Sequence, residues 1–101
     1  MKRRYDYLIV GSGLMGATFA HLATRAGRRC LVVERREHTG GNIHCAQLAG
    51  IHVHQYGAHI LHTGDERVWR FVNGLAPRNR YTNNPVAKWH RRLYHPPLNI
   101  N

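Results

Sequence analysis

The run Gly11-Ser12-Gly13-Leu14-Met15-Gly16, set directly after the apolar stretch 5–10, restricts this chain more than any other feature. A G-x-G-x-x-G turn is weak evidence by itself, but here it stands in its required setting. Leu8-Ile9-Val10 suits a strand buried on both faces. A helical stretch follows to about Ala26, with Leu14, Ala17, Ala20 or His21, and Ala23 or Thr24 spaced along one face. Gly27 is placed for its C-terminal cap. Residues 30–34 read as a second buried strand, and a right-handed crossover makes the two strands parallel. Within the turn, Gly11 lets the chain leave the strand sharply. Gly13 leaves room for a pyrophosphate, and Gly16 lets the helix pack close to the sheet. The helix opens with unpaired N–H groups and a positive dipole end facing that diphosphate. Glu34, at the end of the second strand, is placed to accept hydrogen bonds from a ribose diol. The competing reading is a glycine-rich turn with a chance acid. It needs strand, helix, strand and acid to align by accident.

Charge bears on the partner. Fifteen Lys+Arg against five Asp+Glu give a formal charge of +10. Such an excess suits a polyanion, or diphosphates bound by a segment whose acidic complement lies elsewhere. The basic residues are scattered and no nucleic-acid-binding motif accompanies them, which weighs against nucleic acid. A hydrophobic content of 43% argues against disorder. Cys30 and Cys45 fit neither a redox pair nor a zinc knuckle, and Cys30 reads as a small buried hydrophobe in a reducing cytoplasm. Asp6 and the glycines interrupt what imitates a signal peptide, and no run is long enough to span a bilayer. A soluble chain without membrane contact is expected.

Beyond Arg36 the pattern changes. Residues 43–48 and 51–56 look like a hairpin about Ala49-Gly50, with Ile51, Val53 and Gln55 on one face. Asp65 is placed to cap a helix carrying Val68, Trp69, Phe71, Val72 and Leu75, closed by Pro77. Residues 80–89 and 93–94 read as strands around a His90-Arg91-Arg92 turn. The expected fold class is α/β: a Rossmann-like βαβ unit followed by the start of a mixed α+β domain, incomplete in this chain. Residues 1–64 form the cofactor segment, and 65–101 open a substrate domain. His52 and His54 share a strand face, and His59 and His62 are three apart, so a metal site is conceivable. No carboxylate or cysteine completes it, and no metal is expected. Trp69 and Phe71 read as core residues. The pairs Arg3-Arg4, Arg28-Arg29, Arg35-Arg36 and Arg91-Arg92 read as solvated surface, apart from Arg35.

An acid followed by Gly40-Gly41-Asn42 resembles the large FAD family that includes amine oxidases and phytoene desaturases. In that family the glycine pair lets the backbone pass close to the flavin diphosphate. Three stretches narrow the resemblance: Gly41-Asn42-Ile43, Tyr56-Gly57-Ala58-His59-Ile60-Leu61-His62-Thr63, and Asn79-Arg80-Tyr81-Thr82-Asn83-Asn84-Pro85-Val86-Ala87. Over 5–101 the chain resembles the N-terminal part of prokaryotic UDP-galactopyranose mutases. Met15 and Leu61 stand where that family usually has Phe, and Asn84 where Ser is common. The resemblance implies a flavin-dependent isomerase that interconverts UDP-galactopyranose and UDP-galactofuranose for cell-wall polysaccharide. Reduced FAD would act through N5 as the nucleophile on the anomeric carbon. It implies a cytoplasmic enzyme, homodimeric at full length, with this chain alone inactive. Position by position, Gly11, Gly13, Met15 and Gly16 would line the diphosphate turn, and Glu34 and Arg35 would meet the adenosine side. Gly41, Asn42, His59 and Ile60 would reach the flavin half, with His62 beside the flavin as a catalytic candidate. Asn83 would touch the UDP-sugar. The arginines and tyrosines that hold the substrate diphosphate in that family fall past residue 101. Two other readings stand beside it. An FAD-dependent oxidoreductase of the amine oxidase type shares everything up to Asn42. A non-catalytic basic binding module requires only the charge.

Overall fold

The computed structural model describes residues 4–79, 81 and 86–95. The chain divides into two compact units, Met1–His59 and Ile60–Asn101.

The first unit is organised by a parallel strand pair with one crossover helix. Strand β1 (Tyr7–Val10) pairs with β2 (Cys30–Val33), Tyr7 opposite Cys30 and Val10 opposite Val33. Helix α1 (Leu14–Arg25) connects them. This is the Rossmann-like βαβ unit expected from the sequence. Asp6 fastens the open end of the pair. Its N–H donates to the Arg29 carbonyl at 2.8 Å, and its carboxylate accepts from the Arg29 N–H at 2.7 Å. At the other end the Gly11 N–H donates to the Val33 carbonyl at 2.7 Å, carrying the pairing one residue into the turn.

Helix α1 shelters only part of the face read from spacing. Gly16, Thr18, Ala20, His21 and Ala23 are its more sheltered positions, while Leu14 and Ala17 are exposed. Gly16 decides the matter. A Cβ there would drive into the Gly11 carbonyl and lie 3.2 Å from Ile9 Cγ2, so this side of the helix lies against the strand and its turn. Phe19 packs edge-on against Tyr7, ring centroids 5.2 Å apart. The strands are also less covered than their composition suggested. Ile9 is buried, but Leu8 is 65% and Val10 81% exposed.

After β2 the chain makes a short 3₁₀ turn (Gly41–Ile43) and enters a hairpin of β3 (Cys45–Leu48) and β4 (Ile51–His54). The expected strand from Ile43 therefore starts two residues later, because 41–43 belong to the turn. Ala46 faces Val53 and Leu48 faces Ile51, which puts the apolar residues together on one side.

In the second unit, α2 (Glu66–Asn73) is capped by Asp65, whose side chain accepts from the Arg67 N–H at 2.8 Å. The helix stops at Asn73, ahead of Leu75 and Pro77. Strands β5 (Ala87–Trp89) and β6 (Arg92–Tyr94) form an antiparallel hairpin whose two-residue turn is His90-Arg91. Residue Tyr81 and residue Val86 are outside any strand, so β5 is shorter than the expected 80–89. Among the described residues no helix is long and apolar enough to cross a membrane.

Candidate cofactor site

The turn between β1 and α1 is where the first unit concentrates its unusual chemistry. Gly11 adopts φ +96°, a conformation open to glycine and strained for other residues. Gly13 precedes α1 at the N-cap position, and no side chain caps the helix there. No acidic residue occupies its first turn either. The first N–H groups of a twelve-residue helix, and the positive end of its dipole, are thus left to an anion.

Ser12 would ordinarily be a capping residue, but its polar groups serve a different partner. Its N–H donates to Glu34 Oε2 at 2.7 Å and its hydroxyl to the same oxygen at 2.8 Å. The other oxygen, Oε1, accepts from the Arg36 N–H at 2.9 Å. Ser12 is 8% exposed. The Arg36 N–H first, and then the Ser12 N–H and hydroxyl, hold the Glu34 carboxyl well below its ordinary 4.5, at about 2. The Arg35 backbone adds a weaker hydrogen bond to the same carboxylate. Glu34 therefore braces the turn as well as presenting an acceptor, a double role that its place at the end of β2 did not reveal.

A second backbone segment closes over the first. The Gly40 N–H donates to the Ser12 carbonyl at 2.9 Å. Gly41, at φ +56°, passes so near the turn that a Cβ on it would lie 2.8 Å from Gly13 Cα. A Cβ on Gly13 would meet only Gly41 Cα, at 3.9 Å, so the space in front of Gly13 is open. An open cavity of about 800 Å³ lies here. Eight residues singled out from the sequence line it: Gly11, Gly13, Met15, Gly16, Glu34, Arg35, Gly41 and Asn42.

The other candidates lie elsewhere. His59 does not line this cavity. Its Nδ1 is 2.6 Å from the Gly57 carbonyl, and its ring stacks on His54 with centroids 6.4 Å apart. Ile60 and His62 are exposed residues of the second unit. Asn83 lies outside the described residues. Among the described residues there is no group of three His, Cys, Asp or Glu placed to hold a metal.

Arg36 corrects the surface reading of its arginine pair. Its Nη2 donates to Asn42 Oδ1 at 3.1 Å, and its guanidinium lies 4.4 Å over the Tyr56 ring. Tyr56 also meets His38, with the hydroxyl 2.7 Å from Nε2, and His38 Nδ1 is 3.0 Å from the Thr39 carbonyl. A carbonyl only accepts, so Nδ1 carries the proton of that contact. The His38 ring stacks on His44 at 3.8 Å. Arg36, Tyr56, His38 and His44 thus buttress the Gly40-Gly41 turn. Only Tyr56 gave a sequence signal, as part of a motif.

Comparison with known proteins agrees with this geometry. Residues 9–75 match the NAD(P)-binding Rossmann-like domain family. The chain is 39% identical over 95 residues to the dTDP-fucopyranose mutase of Escherichia coli, covering 92% of this chain and 25% of that protein. It is 37% identical over 79 residues to the UDP-galactopyranose mutase of Mycoplasma genitalium, covering 76% of this chain and 20% of that one. The counterpart of Mycoplasma pneumoniae is 31% identical over 80 residues, with 77% and 20% covered. The chain thus spans a quarter or less of the length of these relatives.

Proposed function

The chain belongs to the NAD(P)-binding Rossmann-like domain family, and from that premise we propose that it holds the ADP half of FAD for a pyranose–furanose mutase. One observation carries the reading. The uncapped start of α1 faces open space at Gly13, and the Gly40-Gly41 backbone closes on the turn from the other side. The diphosphate would rest on the α1 N–H groups, with Gly13 giving it room and Met15 at its flank. The ribose would hydrogen-bond to the Glu34 carboxylate, and Arg35 would meet the adenosine. When bound in reduced form, FAD supplies the nucleophile, N5, for the sugar's anomeric carbon. The chain's own part is to bind and orient it. Residues 1–64 are the proposed cofactor segment and 65–101 the opening of the substrate domain. The flavin-side roles of Asn42, His59, Ile60 and His62, and the sugar contact of Asn83, are supported by their motifs' resemblance to the mutases.

The proposed substrate is UDP-galactose in its pyranose and furanose forms. A dTDP-hexose is the second reading, favoured by the 39% identity to a dTDP-fucopyranose mutase. Titration with FAD, ADP and Gly13→Val tests the cofactor site. FAD and ADP should compete in the parent, and the variant should lose both while α1 stays helical. Flavin retained by Gly13→Val at the parent's stoichiometry would sink the assignment. For the activity, the chain can replace the matching segment of the M. genitalium enzyme. The chimera should interconvert the two UDP-galactose rings. A folded, flavin-loaded chimera that turns over neither UDP-galactose nor dTDP-fucose would refute the mutase reading.

A further inference from the structure

The β5–β6 hairpin carries a second collection of ligand-binding chemistry, in the second unit and independent of the cofactor turn. Its register places Trp89 opposite Arg92 and Ala87 opposite Tyr94. Cross-strand partners share a face, so Trp89, Arg92 and Tyr94 stand together, with Lys88 and Leu93 on the reverse. A hollow of about 520 Å³ lies on this hairpin, lined by Trp89, His90, Arg91, Arg92 and Tyr94. The indole is 67% exposed, and the His90 ring packs edge-on against it at 4.6 Å. His90 reverses the chain at φ 52°.

Charge selects the ligand. Residues 86–95 contain Lys88, Arg91 and Arg92 and no acid. Among the described residues the ion pairs are Arg67–Asp65 and Arg70–Glu66, and neither involves this hairpin. Two consecutive arginines without a carboxylate partner suit a phosphate, which arginine can grip in bidentate fashion. A neighbouring indole offers a stacking platform for a flat ring. The turn itself is His90-Arg91, too polar to insert into a lipid layer. A single stacking ring with one cationic pair fits one nucleotide unit.

We propose that this hairpin is a docking site for a nucleoside 5′-phosphate, its base stacked on Trp89 and its phosphate held by Arg91 and Arg92. The probe is UMP, chosen because the cofactor turn is read as an adenosine site. Trp69 and Trp89 are the two tryptophans, so the full chain carrying Trp69→Phe reports on Trp89 alone. UMP should quench this fluorescence saturably, and the affinity should fall as salt rises. Uridine, lacking the phosphate, should bind more weakly by about tenfold or more, as should UMP to the Arg91→Gln/Arg92→Gln variant. Gly13→Val should leave UMP binding unchanged. The inference is overturned if uridine and UMP bind alike, or if the arginine variant keeps the parent's affinity. It is equally overturned if affinity is insensitive to salt, or if oligothymidylate binds where UMP does not. Should the double variant misfold, the uridine comparison and the salt dependence in the parent decide.

Discussion

Glu34 spends most of its hydrogen-bonding capacity inside the protein, and its behaviour with pH follows from that. Its carboxyl is held at about 2, against an ordinary 4.5, by the Arg36 N–H and then by Ser12. A depressed folded value means that the carboxylate favours the folded turn at pH above 4.5. That contribution is lost as pH falls from 4.5 through about 2. Carbon-detected NMR of the Glu34 carboxyl should show this low midpoint in the parent and a higher one in Ser12→Ala. An ordinary midpoint in both would discount the brace. Glu34→Ala should weaken FAD by roughly ten- to a hundred-fold, as expected for removing a hydrogen bond to a charged group. An unchanged dissociation constant would remove Glu34 from the ribose. Gly16 is a packing position as well as a lining residue of the cavity. Gly16→Ala presses a methyl group into the Gly11 carbonyl, at a cost near or above the upper end of about 1–3 kcal/mol. Its measurable sign is a loss of α1 helicity by circular dichroism with FAD absent. A variant as helical as the parent would contradict the packing described.

Among the elements, strand and helix identities were largely legible, whereas faces and long-range contacts were not. The glycine turn, α1, β2 and the Ala49-Gly50 hairpin follow from local chemistry that the sequence displays. The sheltered face of α1 does not, because Leu14 and Ala17 satisfy helical spacing as well as Ala20 and Ala23 do. Only the closeness of Gly16 to Gly11 chooses between them. The 3₁₀ turn was hidden for a similar reason. Residues 41–43 are held by the bond from Gly40 to Ser12, a partner far away in sequence. Ser12 escaped notice because its partner Glu34 is remote in sequence, and Arg36 and His38 because their contacts with Tyr56 depend on the folded loop. Helix α2 lies at the other extreme, with its start written in Asp65. That carboxyl is lowered by the Arg67 side chain first and then by its N–H. Asp65→Ala should lower α2 helicity, and acidification toward the depressed carboxyl range should do the same in the parent. Secondary chemical shifts of 66–73 that are unchanged in the variant would show that the cap is dispensable.

For the whole molecule, the balance of burial and charge sets how the chain behaves alone. Among the described residues Ile9 is the one buried hydrophobic residue, and Val10, Met15, Leu8 and Leu93 are largely exposed. A small chain with so little apolar surface removed from water lacks the main term that opposes conformational entropy. Its +10 charge adds repulsion. We expect the 101-residue chain to unfold over a broad temperature range and to show no ring interconversion with chemically reduced FAD. A sharp calorimetric transition together with turnover would show the opposite. The crowding of Gly41 onto Gly13 has a consequence for mutational libraries. A Cβ at 41 meets backbone, so no compensating side-chain change elsewhere can relieve it, whereas a Cβ at 13 meets nothing closer than 3.9 Å. A library selected only for folding should therefore recover glycine at 41 and tolerate alanine at 13. A library selected for retained flavin should recover glycine at both. Position 13 is where the two selections part, so its substitution pattern alone would tell whether a population of variants had been kept for its structure or for its ligand.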